Sequence, residues 1–173
     1  MTKLLSTEQM AEFANSGCLF FEGLIDEDIN KEFLNDIGHT DIDDVDNIQH
    51  YFQNIKSSSS IPRIPAGTAL KDAYPLNSPL EKIFKNEIVS GAINSLVGSK
   101  TVVDHQFLHL TFPSKYYEKA NQRQMSQVNH QDSTIDPRTT FDIQLFYFPT
   151  AVTKEMGGTR YIPGTHLRIV NEM

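Results

Sequence analysis

The apolar periodicity of this chain changes once, at Gly98, and that change limits the folds open to it. Ahead of Gly98, Leu80, Ile83, Phe84, Ile88, Ala92, Ile93, Leu96 and Val97 recur at helical spacing and form one inward stripe. Ser78 caps this segment, Pro79 takes the first helical position and Glu81 the third, so one helix ending at Gly98 is expected. Beyond Gly98, aromatic and β-branched runs predict strands over 101–112, 124–129, 141–148 and 159–162. Helices first and strands after is an α+β order.

Two more helices are expected nearer the start. Ser6 is a good N-cap, Gln9 can close a capping box, and Leu5 with Met10 can form a hydrophobic staple. Met10, Phe13 and Ala14 share a face, and Gly17 stops the helix in the left-handed conformation. A second helix starts after Asp26, with Ile29, Phe33, Leu34 and Ile37 inward. Residues 41–78, with an acidic run, the Ser57–Ser60 tract and Pro62, Pro65 and Pro75, and with Pro79 just beyond, read as surface loops around a short helix near 50–55.

Composition narrows the partners. A formal net charge of −7 argues against nucleic acid and anionic membrane, both of which reward basic surface. The single Cys18 excludes an internal disulfide framework, and its apolar neighbours Leu19, Phe20 and Phe21 favour burial over reactivity. No apolar run is long enough for a signal peptide or a bilayer span, so a cytoplasmic location is expected. At 173 residues one domain is the natural expectation, with a helical part over 5–98 and a strand part over 99–173.

The chemistry centres on Asn129-His130-Gln131-Asp132. An imidazole and a carboxylate two residues apart can bind one metal ion if they leave a strand together. They are two-thirds of the facial triad of non-haem Fe(II) oxygenases. His-x-Asp is short, and with six His and 22 acidic residues about one accidental His-x-acid pair is expected. His39-Thr40-Asp41 also fits, but it adjoins the acidic run and has no apolar alternation around it, so it reads as a solvated turn. His130 and Asp132 are instead followed by the strand pattern of 141–148, then Gly157-Gly158, then the tight turn of Pro163-Gly164-Thr165-His166.

This arrangement resembles the phytanoyl-CoA dioxygenase family of Fe(II)- and 2-oxoglutarate-dependent oxygenases. That family carries His-x-Asp, an apolar strand, a Gly-containing turn and Pro-Gly-Ser/Thr-His in this order. The opening Leu5-Ser6-Thr7-Glu8-Gln9 to Gly17 is also similar. The resemblance implies a double-stranded β-helix of the jelly-roll, cupin-like kind after the helices, although only about four of its eight strands are visible. It implies a hydroxylase of a small organic or lipid-like substrate, with O2 and 2-oxoglutarate as co-substrates. His130 and Asp132 are carried over as iron ligands. The family's distal His and keto-acid Arg lie beyond the Pro-Gly-Ser/Thr-His turn and find no counterpart, so the expectation is an N-terminal portion of such an enzyme.

Other residues can line the cofactor pocket. On the 101–112 strand, His105, Phe107 and His109 fall on one face, with Gln106, Leu108 and Leu110 on the other. In the family this strand borders the keto acid, which makes Gln106 and His109 candidates to touch it; a satisfied sheet histidine is the alternative for His105 and His109. Phe146 aligns with an aromatic that flanks the keto acid, or is ordinary sheet core. Two other readings stand beside the enzyme: a degenerate ligand- or partner-binding relative without catalysis, and a cupin-like enzyme of another metal with His166 as third ligand. Oligomeric state is not legible.

Overall fold

The computed structural model describes residues 2–39, 53, 61–109, 142–153, 156 and 158–167. Among them are four α-helices and one two-stranded sheet, a mixed α+β composition. Two compact units are distinguished: residues 1–4, 22–109 and 147–150 in the first, and 5–21, 110–146 and 151–173 in the second.

In the second unit, α1 (Thr7–Ser16) begins with the reciprocal cap that its sequence predicts. The Ser6 hydroxyl accepts from the Gln9 amide at 3.2 Å, and the Gln9 side chain accepts from the Ser6 amide at 3.0 Å. Gly17 ends it at φ 81°, with its N–H on the Phe13 carbonyl. The expected inward face is only partly covered: Phe13 is half-buried, whereas Met10 and Ala14 are exposed.

The core of the first unit lies where α2 (Glu27–Asp36) meets α3 (Pro79–Lys85), and α3 in turn meets α4 (Glu87–Val97). Phe33 and Ile37 from the α2 side, Ile83 from α3, and Val89 and Ile93 from α4 are buried. Ser78 caps α3 as expected, its hydroxyl accepting from the Glu81 amide at 3.3 Å. The single helix expected up to Gly98 is, however, two. Asn86 sits at ψ 133°, outside helical space, and its side-chain oxygen accepts from the amides of Ile88 at 2.9 Å and Val89 at 3.3 Å. An asparagine prefers this capping role over a helix interior, so it closes α3 and opens α4 while the apolar stripe runs on.

Residues 2–4 lie against α4. The Lys3 amide donates to the Glu87 carbonyl at 3.1 Å, and the Lys3 carbonyl passes so close to Gly91 that an added Cβ would fall 1.8 Å from it. No other residue fits at position 91 unless this segment moves.

The strand expectations need correction among the described residues. Of 101–109, only β2 (Val102–Val103) is in a ladder, paired antiparallel with β1 (Thr68–Ala69), with Thr68 opposite Val103; 110–112 lie outside the described residues. β1 and the 3-10 turn Leu70–Asp72 fall where a surface loop is expected. Residues 142–148 and 159–162 are in no strand. Alternation gives a segment strand character, but a ladder needs a neighbour with matching amides and carbonyls, which the pattern of one segment cannot supply. Residues 124–129 and most of 41–60 lie outside the described residues.

Two half-buried tyrosines tie this unit together. Tyr147 donates to the Asn30 side-chain oxygen at 2.6 Å across 117 positions and meets the Phe33 ring edge-on at 5.3 Å; Tyr74 stacks on Phe84 at 4.9 Å. Burial pushes both phenols up to about 12 from the usual 10. The folded protein then holds these protons more tightly than the unfolded chain. Their contribution is complete below about pH 10 and lost as pH rises through about 12. Denaturant midpoints are expected to fall between pH 10 and 12, and the Tyr74→Phe, Tyr147→Phe double variant to flatten that fall relative to its own pH 8 value.

Candidate functional site

After β2 the chain carries its candidate chemistry on residues 104–109. The alternation slips one step past Val103: Asp104 and His105 are both exposed, and from there even positions turn inward. Gln106 and Leu108 are half-buried, while His105, Phe107 and His109 are exposed. The three exposed rings form a row. His105 and Phe107 lie parallel, with centroids 5.9 Å apart and planes 5° apart; Phe107 and His109 follow at 6.3 Å and 51°. This is the one-face grouping that period-2 spacing predicts for them. Beside it, His105 Nδ1 lies 2.7 Å from a carboxylate oxygen of Asp104.

Gln106 points to the other side. Its side-chain amide donates to the Pro62 carbonyl, 44 positions away. Among the described residues, one N–H and the side-chain carbonyl of Gln106 are left for another partner. The bond also fastens the 61–65 stretch to the segment that carries the imidazoles. Neither Gln106–Pro62 nor Tyr147–Asn30 leaves a signal in the sequence, because nothing periodic links residues so far apart.

Phe146 belongs to the second unit and is 57% exposed, whereas Gln106 and His109 belong to the first. His130 and Asp132 lie outside the described residues. Among the described residues, no three His, Cys, Asp or Glu side chains converge as a metal site. His166 is held elsewhere. Its ring packs against Gly17 and lies 6.3 Å from the Phe13 ring, and Nδ1 is buried without a hydrogen-bond partner among the described residues.

Four helices and one antiparallel strand pair, with imidazoles, an amide and an aromatic ring gathered on the segment that follows β2, make this a mixed α+β protein with its candidate residues next to the sheet. A family model for phytanoyl-CoA dioxygenase (PhyH) matches residues 13–173, and the chain belongs to that family. No curated protein and no solved structure matches it. Membership suggests an oxygenase that depends on Fe(II) and 2-oxoglutarate and acts with O2 on a small molecule. No helix among the described residues is long and apolar enough to cross a membrane.

Proposed function

We propose that this chain supplies two protein ligands, His130 and Asp132, to an Fe(II) centre that hydroxylates a small organic or lipid-like substrate at the expense of 2-oxoglutarate. The observation that carries this is the family match over 13–173, inside which His130-Gln131-Asp132, Gly157-Gly158 and Pro163-Gly164-Thr165-His166 keep the family's order. The donor set suits the metal: a neutral imidazole and a carboxylate are the ligands that non-haem Fe(II) takes, and they leave positions open. Bound iron and keto acid would supply the oxidising chemistry.

The roles of the remaining residues follow from what they offer. Gln106, fixed at Pro62, would offer the rest of its side-chain amide to the keto acid. The His109 imidazole would offer a second hydrogen-bonding group to the keto acid, and Phe146 an apolar ring. One domain over 1–173, with a helical part over about 5–98 and a partial jelly roll over about 99–173, belongs to the same proposal. Anaerobic calorimetry tests it: 2-oxoglutarate is expected to bind the purified chain only once Fe(II) is present. Binding that ignores the metal, or no binding with metal present, would overturn it.

A further inference from the structure

In the second unit, the turn at 162–166 is seated on the C-terminal end of α1, far from it in sequence. Helix ends leave carbonyls without partners, and here the Gly164 N–H donates to the Ser16 carbonyl at 2.9 Å. Gly17 makes the seat for the imidazole. At φ 81° it favours glycine, and an added Cβ would lie 2.4 Å from His166 Nδ1, 2.6 Å from Cγ and 2.9 Å from Cβ. The last of these atoms is the root of the side chain, so rotating the ring does not clear the clash. The Thr165 hydroxyl donates to the Ile162 carbonyl at 2.8 Å and keeps the turn closed.

Ser16 extends this seat one step along the chain. While its carbonyl accepts from Gly164, its hydroxyl donates to the Cys18 carbonyl at 2.8 Å and accepts from the Cys18 amide at 3.2 Å. Residues 16–18 are therefore held from both sides. We infer that the 162–166 turn and the end of α1 form a clasp that opens and closes as one unit, with Cys18 covered only while it is closed. Cys18 is half-buried, and burial, with Glu12 second, pushes its thiol above the usual range. It is also the only cysteine of the chain, so its labelling reads the clasp without interference.

The experiment compares thiol-labelling rates and amide exchange in the full chain and in two variants. Gly17→Ala fills the ring seat, and Thr165→Ala only loosens the turn. In Gly17→Ala, Cys18 labelling is expected to rise roughly tenfold or more, since a non-glycine residue in left-handed backbone alone favours opening by about that factor. Amide protection at Gly164 and at Gly17 should fall together. Thr165→Ala should move all three readouts in the same direction by less, and it decides the matter if Gly17→Ala fails to fold. Loss of protection at Gly164 with Cys18 labelling and Gly17 protection unchanged would show that the two parts move independently and overturn the clasp. No readout requires metal or substrate.

Discussion

Replacing Ile83 by alanine is expected to destabilise the first unit by about 2–5 kcal/mol, the cost of removing a large aliphatic side chain from a packed interior. Ile83 is 2% exposed and lies on the short helix that touches both α2 and α4, so the space it leaves borders two neighbours. Phe33 and Ile37 face this region from the α2 side and Val89 and Ile93 from α4, and α3 and α4 each begin at a side-chain cap. Such surroundings relax little into a void, which puts the cost toward the upper part of the range. At about 2–4 °C per kcal/mol for a chain of this size, the melting temperature should fall on the order of 10 °C. Leu76→Ala, at a position 76% exposed, is the matched control and should stay within about 0.5 kcal/mol. Equal losses in the two variants would mean that the stability of this unit does not reside between α2, α3 and α4.

The second large effect concerns the metal. His130→Ala and Asp132→Ala are each expected to weaken Fe(II) binding by at least roughly 100-fold, since losing even an indirect support of a metal ligand costs 10–100-fold. His39→Ala is the control, because His39-Thr40-Asp41 repeats the same spacing at the start of an acidic run. A spacing effect without a site would make the two histidines equivalent. His166→Ala adds a discriminating arm: its ring is seated on Gly17, so metal affinity should change little while thermal stability falls. Anaerobic calorimetry on the four variants checks the order. Metal affinity lost in His166→Ala as fully as in His130→Ala would favour the cupin-like ligand set, with His166 as the third ligand.

Local signals were legible because their partners are three or four residues away. The Ser6–Gln9 box, the Ser78 cap and the left-handed Gly17 are each written in one short stretch, and each is present. The break at Asn86 was hidden by an apolar stripe that continues across it, although an asparagine followed by Glu87 is itself a capping signal. β1 is only two residues long, too short for alternation to register. At the candidate site, the order of His130, Asp132 and the Pro-Gly-Thr-His turn was readable, and so was the shared face of His105, Phe107 and His109. The fastening of Gln106 to Pro62 and the seat of His166 were not. Both depend on fit between segments remote in sequence, which leaves no trace in the spacing of either one.

The contact between Lys3 and Gly91 distributes its demands unevenly. On one side only backbone is used: an amide given to Glu87 and a carbonyl set against Gly91. Position 3 can therefore change freely among residues that keep an N–H, proline being the exception. Position 91 has no such latitude, since any side chain there would occupy the place of the crossing carbonyl. The seat of the opening residues is thus specified almost entirely by a residue in the middle of the chain, and the residues that sit in it carry nearly no instruction of their own.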